Sequence, residues 1–166
     1  MIAVNGWQLF AHPLFLDQLE KLTAAVERLR AKDPAGFHTS ANAKLLGLIR
    51  HLVFDVIPQD PTRPEYRPEY GQGDTLGAGR KHWFRAKFGN GRFRLFFRFD
   101  SKAKIIIFAW VNDAETLRTY GARNDAYAVF RKMLDNGNPP DQWMDLLAAV
   151  ADDKTKTRTK KTLPTS

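Results

Sequence analysis

"RAKFGNGRFRLFFRF", residues 85–99, carries five basic residues and five phenylalanines and no acid. In its middle stands Asn90-Gly91, a pair favoured in tight hairpin turns because both positions tolerate positive φ. The flanking runs alternate with a period of two, as strands do. On the first strand Phe84, Ala86 and Phe88 share one face, and Trp83, Arg85 and Lys87 the other. On the second, Phe93, Leu95, Phe97 and Phe99 alternate with Arg92, Arg94, Phe96 and Arg98. The pattern predicts a hairpin with an aromatic face in the core and a basic face turned to solvent, presenting Arg85, Lys87, Arg92, Arg94 and Arg98 together.

A turn at Asp100–Ala103 leads into "KIIIFAWV" (104–111), apolar on both faces and therefore a central strand. Upstream, Val4–Phe10 reads as a short strand. From Pro13 to about Lys32, Phe15, Leu19, Leu22, Val26 and Leu29 recur at steps of three and four, which marks an amphipathic helix ended by Asp33-Pro34-Ala35-Gly36. A second helix is expected from about Ser40 to Val56, with Leu45, Leu48, Ile49, Leu52, Val53 and Val56 as its buried stripe. The two should pack antiparallel. Residues 57–82, rich in Pro and Gly, read as a long surface loop. "GDTLGAGRK" within it is not a nucleotide loop, because Arg80-Lys81 leads into a strand rather than a Ser/Thr-started helix. After the central strand, Asn112-Asp113 and Asn124-Asp125 signal helix starts, Gly121 suits a helix end, and a last helix is expected near Asp141–Val150. The fold class is therefore α+β. Residues 1–151 form a single domain, and 152–166 a basic tail expected to be disordered for want of apolar residues.

Bulk composition narrows the function. The 166 residues contain no cysteine, so disulfides and thiolate metal sites are excluded, and a cytoplasmic setting is expected. The N-terminus lacks the form of a signal peptide, and no run is long and apolar enough to span a membrane. Net charge is +8, and it is concentrated: Arg80–Lys104 has nine Lys/Arg against the single acid Asp100, and 154–166 has five and no acid. A concentrated basic stripe suits a polyanion such as RNA.

Three kinds of nuclease chemistry can be weighed. A metal site needs clustered carboxylates. Asp113 and Glu115, the only acids near the end of the central strand, are better placed as helix-start residues, so no metal is expected. A two-histidine site finds only His82 near the basic hairpin, with His12, His38 and His51 elsewhere. The third kind uses Arg, Lys and Tyr, with the RNA 2′-hydroxyl as nucleophile. Arginine suits bidentate phosphate contacts, and preorganised charge can dominate catalysis. Arg85, Lys87 and Arg94 lie on the hairpin, Arg118 and Tyr120 follow the central strand, and Tyr127 lies in the next helix. Arg80, Lys81, His82, Arg92 and Arg98 are the expected RNA-binding residues around them. The competing readings are a non-catalytic RNA- or ribosome-binding module and, more weakly, a DNA-binding regulator without a basic helix-turn-helix.

"VNGWQLFAHP", "RAKFGNGRFRLFFRF", "AWVNDAETLRTYG" and "DAYAVFRKML" together, in order and with similar spacing, closely resemble the YhaV toxins of PrlF–YhaV toxin–antitoxin systems, which belong to the RelE-like toxins. The likeness extends over about residues 4–145. It implies two N-terminal helices on a small, mostly antiparallel twisted sheet, and a metal-independent, cofactor-free endoribonuclease that cuts mRNA and so inhibits translation and growth. It implies neutralisation by a PrlF-like antitoxin with an AbrB-type swapped-hairpin DNA-binding domain, operon repression by the complex, and mRNA presented with or without the ribosome. It matches Arg85 and Lys87 to the basic pair before the turn and Arg94, in "GRFRL", to the arginine after it. Arg118 with Tyr120 or Tyr127 would fill the later roles, and the general base remains open among Lys87, Tyr120 and Tyr127.

Overall fold

The structure is a computed structural model, and it describes residues 2–68, 76–77, 79–112 and 125–164. A five-stranded sheet runs in the order β1-β2-β5-β4-β3, formed by β1 (Ile2–Val4), β2 (Trp7–Ala11), β3 (Phe84–Phe88), β4 (Phe93–Asp100) and β5 (Ile105–Val111). All neighbours are antiparallel except β2 and β5. The expected α+β class and mostly antiparallel sheet are observed, with β5 in the centre.

The N-terminal stretch is a hairpin, not the single strand expected over Val4–Phe10. Val4 pairs with Trp7, and Asn5 (φ 50°) and Gly6 (φ 82°) turn between them in the left-handed region. This is the same Asn-Gly chemistry that closes β3 and β4, where Gly89, Asn90 and Gly91 all have positive φ.

α1 (Pro13–Lys32) starts as its sequence demands: His12 Nδ1 accepts from the Leu14 N–H, and Pro13 occupies a position that needs no amide donor. α2 (Ala41–His51) is capped by Ser40, whose hydroxyl accepts from Ala43 N–H. It continues through a π-helical turn at Leu52–Val56 and a 3-10 turn at Ile57–Gln59. Both helices cover one sheet face, where Phe15, Leu16, Leu19, Ile49, Leu52 and Val53 meet Leu95, Phe97, Ile106 and Phe108. Leu48, expected in the buried stripe of α2, is exposed.

The other face is covered too, which corrects the expectation of a solvated basic surface. α3 (Ala126–Asp135) and α4 (Trp143–Ala151) pack there. A bulge opposite Phe96/Phe97 sets Ala109 and Trp110 on the same side, so Phe96 and Trp110 both stack with Phe130 of α3, centroids 4.3 and 5.8 Å away. Each such pair contributes about 1 kcal/mol beyond area burial. The sheet is thus sandwiched, and Arg85, Arg94 and Arg98 lie between two layers with at most 8% exposure.

The expected disordered tail is also corrected. α5 (Asp153–Thr162) is a helix docked on α1 and α4. Asp152 caps it by accepting from the Thr155 amide and hydroxyl, Leu163 is buried in the core, and Arg158 bonds Asp17 and Glu20. Among the described residues no helix is long and apolar enough to cross a membrane.

Candidate active site

Three of the expected residues converge where β3, β4 and the start of α3 meet. Asp125 caps α3 by accepting from Tyr127 N–H at 3.0 Å, which fixes Tyr127 in the first turn facing the sheet. Arg85 donates from Nε to the Tyr127 hydroxyl at 2.7 Å. Arg94 lies over the same tyrosine ring, its Cζ 5.8 Å from the centroid. One tyrosine therefore carries an arginine at its hydroxyl and another over its ring. Lys87 stands directly opposite Arg94 across the strands and is exposed.

A turn that sequence reading treated as featureless loop completes the site. Pro64–Tyr66 forms a 3-10 turn, anchored by Tyr66 edge-on to Phe97 with centroids 5.5 Å apart. Burial raises the Tyr66 hydroxyl above its ordinary range, so it stays protonated and structural. The turn offers the Glu65 carbonyl to Arg85 at 2.5 Å. Between the turn and β3 lies an open cleft of about 530 Å³, bordered by Pro64, Glu65, Tyr66, Arg85 and Lys87. The only signal in the sequence was aromatic spacing inside a proline-rich run.

Arg94 is the unusual member. It is 4% exposed and donates to the Gly91 carbonyl at 2.5 Å, yet among the described residues its Nε has no partner. A buried, unmatched guanidinium N–H costs about 1–3 kcal/mol, a cost that an incoming anion would remove.

The expected RNA-binding residues divide. Arg80, His82 and Arg98 join Asp141 in a separate cluster that ties the α3–α4 connection to the sheet. Asp141 accepts from Trp83 Nε1 at 2.9 Å and pairs with His82 Nε2 at 3.0 Å. Arg80 bonds Asp135 at 2.7 Å. Arg98 donates to the Asp141 carbonyl and lies between Trp83 and Trp143, 5.4 and 5.2 Å from their centroids. Burial lowers Arg98 to about 10, with Asp141 opposing. Burial alone would raise Asp141, but hydrogen bonds from Trp83 and His82 hold it below the carboxylate range. Arg98 is therefore not the surface cation the alternation predicted. Lys81 and Arg92 are exposed, as expected. Arg118, Tyr120, Asp113 and Glu115 lie outside the described residues.

With this geometry in hand, comparison with known proteins is specific. Residues 9–151 match the family model described as a toxin with endonuclease activity, of a toxin–antitoxin system, the YhaV toxin family. The chain belongs to this family. It is a toxin with endonuclease activity, which sets aside the non-catalytic binding module as its main role. The toxin is 47% identical over 144 residues to Toxin YhaV of Escherichia coli O6:H1, covering 86% of this chain and 91% of that protein. The same figures hold for Ribonuclease toxin YhaV of Escherichia coli K12 and Toxin YhaV of Escherichia coli O157:H7. No solved structure matches. The matched region ends at the C-terminus of α4, and α5 lies beyond it.

Proposed function

We propose that this toxin is an endoribonuclease that cuts mRNA by attack of the RNA 2′-hydroxyl on the adjacent phosphate. The observation that carries the reading is the buried, unmatched Nε of Arg94 beside the Arg85–Tyr127 pair. A scissile phosphate entering over Lys87 would supply the missing acceptor. A base takes the 2′-hydroxyl proton, O2′ bonds to phosphorus, and the bond to O5′ breaks as an acid protonates it. The products are a 2′,3′-cyclic phosphate and a 5′-hydroxyl. Arg85 and Arg94 stabilise the charge of the phosphorane, and Lys87 and Tyr127 are the described proton carriers within reach. The resemblance adds Arg118, with Tyr120 as the alternative to Tyr127. No metal or cofactor enters this scheme. The resemblance supports an AbrB-type, PrlF-like antitoxin that silences the toxin and brings it to operator DNA, and mRNA as the target, on the ribosome or free.

The test is controlled expression in bacteria of the wild type and Arg85→Ala, with growth followed and RNA 5′ ends mapped by primer extension. The wild type should arrest growth and create new mRNA ends, and Arg85→Ala should do neither. Because Arg85 is buried, its loss also removes the donor to the Glu65 carbonyl, at about 1–3 kcal/mol. The purified variant should still unfold cooperatively. New ends made equally by both proteins would contradict the assignment.

A further inference from the structure

Two side-chain amides outside the cleft decide where Arg94 stands. β2 pairs with β5 only as far as Phe108, so among the described residues the far end of β5 has no strand on that side. Gln18 of α1 takes the strand's place. Its Oε1 accepts from Val111 N–H at 3.0 Å, and its Nε2 donates to the Val111 carbonyl at 2.6 Å. The next residue, Asn112, is 1% exposed and repeats the device toward β4. Its Oδ1 accepts from Arg94 N–H at 2.5 Å, and its Nδ2 donates to the Arg92 carbonyl at 3.1 Å. Its own N–H points to the Arg94 carbonyl at 3.4 Å. Asn112 thus holds both backbone polar groups of Arg94, and Gln18 holds the residue before Asn112.

We infer that Asn112 is a positioning residue for Arg94, and that Gln18 sets Asn112 through Val111. The inference rests on the site proposed above. It follows from what these contacts constrain. Arg94 sits next to the left-handed Gly89-Asn90-Gly91 turn of a hairpin, three residues from the glycine whose carbonyl holds its guanidinium. Among the described residues its Nε meets no protein acceptor. Its side chain is held, among the described residues, by the Gly91 contact and the Tyr127 ring, and its backbone by Asn112. Displacement of a charge-stabilising group by about 1 Å is enough to cost about a hundredfold in rate. A carboxamide suits residue 112, because it accepts from one strand atom and donates to another two residues away. An aspartate there could accept but not donate. The same holds for Gln18, which must satisfy an N–H and a C=O of one residue at once. Neither side chain lines the cleft beside Arg85 and Lys87.

The experiment is single-turnover cleavage of a defined RNA by purified wild type, Asn112→Ala, Arg94→Ala and the double variant, with RNA affinity measured by filter binding. Asn112→Ala should lower the maximal rate about a hundredfold while affinity changes less than about threefold. In the Arg94→Ala background it should have no further effect, because there is nothing left to position. A merely structural residue would multiply its effect onto Arg94→Ala, and that result would overturn the inference. So would wild-type cleavage by Asn112→Ala. Gln18→Glu, which keeps the acceptor for Val111 N–H and loses the donor to its carbonyl, is the milder variant should Asn112→Ala fail to fold. It should show the same rate-only loss and the same masking by Arg94→Ala. If Arg94→Ala itself cleaves like the wild type, both the proposed site and its positioning residues fall. If Arg94→Ala is impaired and Asn112→Ala and Gln18→Glu are not, only the positioning falls.

Discussion

Three arginines on one face of one sheet meet three different fates, and the neighbour opposite decides each. Arg85 finds a hydroxyl and a carbonyl, Arg94 keeps an unmatched N–H, and Arg98 is clasped by two indoles and a carbonyl. Arg98 therefore belongs to stability. Arg98→Ala removes two cation–π contacts and a charged hydrogen bond, which should lower stability by about 2–4 kcal/mol. Urea unfolding should show this, with RNA affinity nearly unchanged. A loss of affinity without a loss of stability would return Arg98 to the RNA surface. The alternation of residues correctly placed Arg85, Lys87, Arg94 and Arg98 on one face. It did not show that this face is covered. Phe96, set among those arginines, was the visible sign: an aromatic on a solvated strand face has no partner, and here it stacks on Phe130. Asn112 and Gln18 carried no such sign, because a carboxamide that replaces a missing strand is recognisable only once the strands are placed.

At the scale of elements, the caps and turns are where local chemistry sets structure. α1 depends on a neutral His12, since Nδ1 must stay unprotonated to accept from Leu14. Burial lowers His12 from 6.5 to about 4, with Asp17 opposing. A group whose pKa is depressed on folding contributes stability that is fully present above its unfolded value. That stability is lost as pH falls from about 6.5 toward 4, and amounts to about 3 kcal/mol. His12→Asn keeps an N-cap acceptor without the titration. Melting temperature measured between pH 7.5 and pH 4.5 should fall more steeply for the wild type than for His12→Asn, and parallel curves would contradict this. α5 makes a different point. Its Lys/Thr sequence has little reason to be helical alone, yet a cap at one end and Leu163 at the other hold it to the body. Arg158 pairs with partly exposed carboxylates and contributes about 0.5–1 kcal/mol at most. Leu163→Ala should cost about 2–4 kcal/mol, much more than Arg158→Ala, in chemical denaturation. A larger effect from Arg158→Ala would mean that charge rather than burial docks the helix. Composition pointed to disorder because a single leucine is easily overlooked when the surface that receives it is unknown. The Asn5-Gly6 turn, by contrast, was legible by the rule that found Asn90-Gly91, and a short apolar run on either side disguised it.

For the whole molecule, the sandwich converts a basic stripe into a basic interior with a basic rim. Of the nine Lys/Arg between Arg80 and Lys104, five are exposed, namely Lys81, Lys87, Arg92, Lys102 and Lys104. On the proposed mechanism exposed cations attract RNA through counterion release, whereas Arg85 and Arg94 act only on a phosphate that has entered the cleft. Attraction and charge stabilisation then fall to different residues, and the exposed Lys87, a proposed proton carrier, belongs to both. The most direct test of the central claim, 2′-hydroxyl attack beside Arg85, Arg94 and Tyr127, is end-group analysis of a labelled RNA cut by the purified toxin in EDTA. It is run beside the same RNA with a single 2′-deoxy substitution at the mapped cut. The account predicts cleavage of the first to a 2′,3′-cyclic phosphate and a 5′-hydroxyl, and no cleavage of the second. Cutting of the deoxy-substituted strand, or 5′-phosphate ends that require added Mg²⁺, would contradict it.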